Sequence, residues 1–334
     1  MDYYSQLVTD PDLRTELLDR FDELAGAAAA KGGLEGLERL EPPTVDEAAR
    51  AVESMTEGTW VRDDSALEAI ILAFTRPVYL VQDSTYTSSA GDFPDSVEIA
   101  NRLASARPAL ERAIPSAGRV DLRNHRLQWA GTAWMVREDI AVTNRHVAEV
   151  FARQNGDAFV FRTHFDGSMT RATLDWRREY QRPAESRFRV EEVLWIEPDG
   201  SADVALLRVS ATGEDGEAQP PVIELMTEEE IAATTAVAVI GYPARDSRNS
   251  ADDQRRLFGD VYGVKRLAPG QVTTAPADGL LQHDATTLGG NSGSVLIGLE
   301  TGKAAALHFA GVEHVANHAV QAHVIERIIR ERAR

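Results

Sequence analysis

The chain has 334 residues, enough for two folding units or for one large domain with an extension. Apolar residues make up 43% and charged residues 26%, the balance of a globular protein rather than of a disordered or fibrous one. A formal net charge of -18 opposes association with nucleic acid and with anionic membrane surfaces, and the absence of cysteine excludes disulfides, thiolate metal sites and a cysteine nucleophile.

The first segment, MDYYSQLVTDPDLRTELLDRF, carries early acidic residues and no continuous apolar run, so it does not read as a secretory signal and the expected location is cytoplasmic. The apolar runs IILAF and VAVIGY are far shorter than the roughly 20 residues needed to cross a bilayer. From Asp10 to about Leu40, Leu13, Leu17, Leu18, Phe21 and Leu24 recur at helical spacing, which predicts an amphipathic helix. The alanine-rich stretch from Gly26 to Gly33 and the pair Pro42 and Pro43 interrupt that pattern. Thr44, with Glu47 three residues later, then caps a second helix from about Val45 to Met55.

Helices are also expected over Ser65 to Phe74 and Asp95 to Ile114. They are separated by the β-favouring VYLVQDSTY and a polar loop around Ser88 to Pro94. After Pro115 short runs of Val, Ile, Leu, Phe and Trp alternate with Gly, Asp, Asn and Pro, the pattern of an antiparallel barrel or sandwich. Strands are expected at 119–122, 128–136, 140–143, 158–162, 190–196, 204–209, 236–242, 271–274, 294–297 and 304–309, with a closing helix over Val320 to Arg334 whose terminal arginines suit the helix dipole. The boundary between the two parts lies near residue 115.

Three segments carry chemistry. In WAGTAWMVREDIAVTNRHVAEVF, two apolar strands lead to His146 just before a helical turn. In SADVALLRV, Asp203 precedes a strongly apolar strand, where an ionised carboxylate is costly unless paired. In TTLGGNSGSVLI, Gly289, Gly290 and Gly293 flank Ser292, which allows a tight turn whose amides, Gly290 and Ser292, can form an oxyanion hole.

Together and in this order, T-x-x-H at 143–146, D-V-A-L-L at 203–207 and G-N-S-G-S at 290–294 resemble the chymotrypsin-like serine proteases, over roughly residues 117–326. The resemblance implies a mainly β fold: a double antiparallel β-barrel over residues 116–334, with a mostly helical N-terminal extension at 1–115 and a C-terminal helix. It implies His146 as general base, Asp203 as the acid that orients it and Ser292 as nucleophile. It implies a serine endopeptidase acting on protein or peptide substrates and needing no cofactor.

Zymogen-activated members have an aspartate before the nucleophile; here Asn291 stands there and cannot form that ion pair. The G-G-N-S-G-S wording resembles the bacterial glutamyl endopeptidase-like branch, which also has a histidine on the strand lining its specificity pocket. ALHFAG matches, which places His308 in the pocket and Gly311 at its wall. The position six before the serine, an aspartate in trypsin, is Thr286, followed by Thr287. A pocket in which the Thr287 hydroxyl and His308 donate hydrogen bonds would favour cleavage after Glu or Asp, while a buried, passive His308 would favour small residues.

His125, His164, His283, His314, His318 and His323 show no metal-ligand spacing with nearby carboxylates, and no metal is assigned. The extension could restrain the enzyme, dock a regulatory partner or simply pack on the barrels. VYLVQDSTY within it could add a strand to a sheet edge or lie near the cleft. A catalytically silent binding module of the same fold, and a serine esterase or transferase, are the other function classes. The lack of a strand and helix forming a nucleophile elbow disfavours an α/β-hydrolase.

Overall fold

The computed structural model describes residues 11–19, 21, 44–57, 78–89, 97–245, 255, 258–276, 278–312 and 316–333. The expected helix over Ser65 to Phe74, most of the segment from Phe21 to Leu40, and His314 lie outside the described residues.

In the N-terminal part, α1 (Pro11–Asp19) lies within the first predicted helical stretch and α2 (Val45–Glu57) on the second. The cap at Thr44 forms as expected: its amide donates to Glu47 Oε2 at 2.7 Å and Glu47 N donates back to Thr44 Oγ1 at 3.3 Å. VYLVQDSTY folds as a hairpin, β1 (Tyr79–Gln82) and β2 (Thr85–Ser89). Its two turn residues, Asp83 and Ser84, take φ of 57° and 59°, the left-handed pair that matches the twist of a two-residue hairpin. The helix α3 (Val97–Ala113) follows; Arg107 stacks over Tyr86 at 3.9 Å and donates to Thr85 Oγ1 at 2.7 Å, clamping the hairpin to it.

Past a 3₁₀ turn at Ile114–Ser116, β3 (Ala117–Arg123), β4 (Trp129–Arg137), β5 (Ile140–Thr143), β8 (Arg171–Asp175), β9 (Arg187–Ile196) and β10 (Ala205–Val209) close a six-stranded antiparallel barrel, ordered β10-β5-β4-β3-β8-β9. The short helix α4 (Arg145–Phe151) and the hairpin of β6 (Ala152–Asn155) and β7 (Ala158–Phe161) interrupt it between β5 and β8. After α5 (Glu228–Ala233), a second ring closes from β11 (Ala236–Gly241), β12 (Arg266–Thr274), β13 (Leu280–His283), β14 (Val295–Gly298), β15 (Ala304–Val312) and β16 (Ala316–Gln321), ordered β11-β14-β15-β16-β13-β12 and back to β11. The chain ends in α6 (Ala322–Arg332).

Alternation along the strands explains the apolar runs. Ala205 and Leu207 point into the first barrel while Val204 and Leu206 point out of it. Val237, Val239 and Leu296 fill the second barrel while Ala238, Ile240, Val295 and Ile297 point outward. The outward set does not meet water. It joins Leu17, Val52, Leu103, Leu110 and Ile325 in a third core between the barrels and the helices. Strands buried on both faces read as continuous apolar segments, which is why VALLRV and AVAVIG do not alternate.

Of the two placements open to VYLVQDSTY, the hairpin takes the sheet edge: β1 runs antiparallel to the start of β12, with Tyr79 opposite Leu267 and Leu80 opposite Arg266. The closing helix begins two residues later than predicted, because Val320 and Gln321 belong to β16, paired to β13 and β15.

Candidate active site

β5 ends at Thr143 and α4 begins at Arg145, so Asn144 and His146 lie where the chain leaves the first barrel. Asp203 sits two residues before β10, which pairs with β5, and the ladder brings the two segments together: Ala205 is opposite Thr143. One residue engages both oxygens of the Asp203 carboxylate. Oδ2 lies 2.7 Å from His146 Nδ1, and Oδ1 accepts from the His146 amide at 3.1 Å. Asn144 Nδ2 donates to the Asp203 carbonyl at 2.9 Å, which fixes the backbone beneath the carboxylate. The Asp203 side chain is 13% exposed and that of His146 45%. An ionised carboxylate at Nδ1 keeps the proton there and leaves Nε2 as the acceptor, the tautomer a general base requires.

The serine turn lies on the other barrel, between β13 and β14, and is built by alternate use of its amides. Asn291 N donates to Leu288 O at 3.1 Å and Gly293 N to His308 O at 2.9 Å, while the amides of Gly290 and Ser292 have no acceptor among the described residues. Two free amides flanking one engaged amide are the donors an oxyanion needs. Gly290 and Gly293 adopt φ of 88° and 87°. A Cβ on Gly290 would strike the Trp129 ring and the Tyr242 carbonyl, and one on Gly293 would overlap the carbonyl oxygen of Thr132. The turn is therefore pressed onto β4 of the first barrel, where Thr132 N donates to Ser292 O at 2.8 Å and Thr132 Oγ1 to Gly290 O at 3.2 Å. Ser292 itself is half-buried, and its hydroxyl makes no hydrogen bond among the described residues; that from Oγ to His146 Nε2 is not closed, as is common before substrate binds.

His308 lies on β15 and is buried, with its Nδ1 3.1 Å from Nε2 of the equally buried His283 on β13. Burial pushes His308 down to about 3, helped by the positive charge that His146 and His318 would carry nearby, so its imidazole is neutral at ordinary pH. The Thr287 hydroxyl, expected to face a substrate, instead donates to Asn317 Oδ1 at 2.6 Å, and Asn317 Nδ2 donates to Ala285 O at 2.7 Å. Gly311 stands opposite Asn317 in the β15–β16 ladder.

Thr132, Tyr242, His283 and Asn317 are the residues of this region that motif reading missed. No local signal marks them, since each acts on a partner more than twenty residues away in sequence. No group of three or more His, Cys, Asp or Glu able to hold a metal occurs among the described residues, and no described helix is long and apolar enough to cross a membrane.

Two closed six-stranded antiparallel barrels, with a histidine–aspartate pair on the first and a glycine-flanked serine turn of the second pressed against it, define a serine endopeptidase of the double-barrel class. The chain belongs to the family of the trypsin-like peptidase domain, whose model matches residues 131–307. It is 32% identical over 289 residues to a probable serine protease of Lysobacter enzymogenes, an alignment covering 76% of this chain and 72% of the relative. Among solved structures it is similar to the serine endoprotease from Yersinia pestis, with 18% identity and a TM-score of 0.42 over 68% of this chain and 65% of the other. It is also similar to an inactive form of Rv3671c from M. tuberculosis, with 19% identity and a TM-score of 0.42 over 69% of this chain and 93% of the other.

Proposed function

We propose that the protein cleaves intracellular proteins after Glu or Asp, through an acyl-enzyme on Ser292. The observation that carries the triad is the 2.7 Å contact of Asp203 with His146 beside a serine turn with two free amides. In this reading Ser292 Oγ attacks the scissile carbonyl carbon as its proton passes to His146 Nε2. The oxyanion is held by the amides of Gly290 and Ser292, and His146 returns the proton to the departing amine. Water then attacks the ester by the same route in reverse, freeing Ser292. Residues 116–334 form the peptidase unit in this proposal and residues 1–115 its N-terminal support.

For specificity, His283 donating to His308 Nδ1 would leave His308 with its proton on Nε2, a neutral donor for a substrate carboxylate. Thr287 would contribute only as part of the wall with Gly311. The net charge of -18 repels acidic peptides at long range, so recognition on this reading is local.

Peptide libraries varied at the residue before the scissile bond test the reading. The wild type is expected to prefer Glu and Asp, and His308→Ala to lose about 10- to 150-fold of the Glu-over-Ala ratio in kcat/KM, the value of one hydrogen bond to a charged group. A wild-type preference for small residues would overturn the acidic specificity.

The pH dependence provides a second check. A group titrating at about 3 is neutral throughout the working range, so the Glu-over-Ala ratio is expected to be flat between pH 5.5 and 8. It should fall only as the substrate carboxyl protonates near a pKa of about 4.3. Loss of the ratio as pH rises through about 6.5 would mean that recognition depends on a charged histidine instead.

A further inference from the structure

The N-terminal hairpin is joined to the serine turn by a continuous buried chain of contacts. At its tip, Ser84 N donates to Glu179 Oε2 at 2.9 Å, and Tyr180 N donates to Val81 O at 2.9 Å. Glu179 is buried, and its Oε1 lies 3.6 Å from Lys265 Nζ, whose side chain is wholly enclosed. Lys265 Nζ donates to Trp176 O at 2.7 Å in the loop between β8 and β9 and to Ile114 O at 2.9 Å where α3 ends, while the Lys265 carbonyl accepts from Val81 N at 3.3 Å. One ammonium thus joins the extension, the first barrel and the start of β12.

Tyr242 stands next in the chain. Its ring centroid is 6.0 Å from Lys265 Nζ, and its hydroxyl reaches the carbonyls of Ala117 and Asp175, each at 3.3 Å. Its backbone forms the wall behind the oxyanion turn: Tyr242 N donates to Thr132 Oγ1 at 3.3 Å, and its carbonyl lies where a Cβ on Gly290 would come within 2.5 Å. Two residues on, Ala244 N donates to Gly289 O at 2.6 Å. Tyr242 thus backs the turn that carries the Gly290 amide, and its ring lies beside the node at Lys265.

A buried ion pair contributes little net stability relative to apolar packing of the same volume, so stability is a poor reason for its presence. Its geometry gives it another use, since the carboxylate accepts from the hairpin tip on one side and the ammonium on the other lies 6.0 Å from the ring centroid of Tyr242, whose backbone backs the serine turn. We propose that Glu179 and Lys265 are positioning residues that couple seating of the N-terminal hairpin to formation of the oxyanion hole; this rests on the reading of Ser292 as nucleophile. The hairpin then supports the active site instead of covering it, and whatever displaces the hairpin turns the enzyme down without touching the cleft.

The test uses the full chain with Glu179→Ala, Glu179→Gln and Lys265→Met, and Arg137→Ala as a variant that loosens the ion pair with Glu326 on α6 without touching the chain of contacts. The readouts are the second-order rate of fluorophosphonate reaction, peptide kcat and KM, Tm, and hydrogen exchange of the segment 286–296. Glu179→Ala and Lys265→Met are expected to lower labelling rate and kcat about 10- to 100-fold with KM nearly unchanged, as for catalytic groups displaced by about 1 Å. They should also speed exchange in 286–296. Glu179→Gln, which keeps an acceptor for Ser84 N, should recover part of the loss, and Arg137→Ala should lower Tm alone.

Wild-type labelling rate and exchange in the Glu179 and Lys265 variants, with only Tm reduced, would overturn the coupling. A wild type that does not label at Ser292 would remove the nucleophile assignment, and exchange in 286–296 would still decide the coupling.

Discussion

Replacing Ser292 by alanine is expected to lower kcat on a cleavable peptide by about six orders of magnitude and to abolish fluorophosphonate labelling, with KM and Tm close to wild type. The hydroxyl makes no hydrogen bond among the described residues, so its removal leaves no buried partner unsatisfied and the turn keeps its backbone bonds to Thr132 and His308. His146→Ala should cost nearly as much, and the double variant little more, because nucleophile and base act as a unit. Asp203→Asn is expected to cost about four orders of magnitude, since an amide nitrogen facing Nδ1 favours the wrong imidazole tautomer. Mass-spectrometric mapping of the labelled residue checks the assignment, and label on any residue other than Ser292 would show that the nucleophile has been misplaced.

Gly293→Ala is expected to be the most damaging single-methyl change in the site. At φ of 87° an L-residue carries left-handed strain of about 1–3 kcal/mol, and the added carbon would also overlap the Thr132 carbonyl oxygen. That oxygen cannot move aside freely, because it accepts from Thr143 Oγ1 at 2.7 Å while Thr132 N holds Ser292 O. The two effects together should destabilise the fold by roughly 3 kcal/mol or more and lower kcat by at least about 100-fold as the turn is pushed off β4. Gly167→Ala is the control: its φ of 83° is similar, but the space around it is open, so only about 1 kcal/mol is expected. Denaturant unfolding of both variants decides the point, since equal losses would mean that the contact with Thr132 contributes nothing.

Where the sequence was legible, the signal was local. The cap at Thr44, the amphipathic periodicity of α1, the helix at α3 and most barrel strands came from neighbouring residues whose preferences agree with the final structure. The strands that pattern reading passed over are ARQN, RATLD, LLQH and ANHAVQ, each short and carrying polar residues. Nothing within them favours extension strongly. The ladders supply what local preference does not, with Arg171 to Asp175 paired on both sides, to β3 and β9, and Leu280 to His283 paired to β12 and β16. The same pull takes Val320 and Gln321 from the closing helix.

The site divides along the same line. His146, Asp203 and Ser292 were legible as candidates because each lies in a short local motif, T-x-x-H, D-V-A-L-L or G-N-S-G-S, and the three in this order resemble one family. The supporting polar contacts were not: Thr287 with Asn317, His283 with His308, Ser84 with Glu179 and Glu179 with Lys265 join residues from different strands or loops. By itself the sequence determined the class of the enzyme, through short motifs that together resemble one family, and pointed to His146, Asp203 and Ser292 as its candidate reactive side chains, since each motif is made of residues adjacent in the chain. Only the tertiary structure decided that Thr287 donates to Asn317, that His308 is buried against His283 and that the hairpin of the extension meets Glu179 and Lys265, because closing two barrels gives buried polar groups partners that no local pattern specifies.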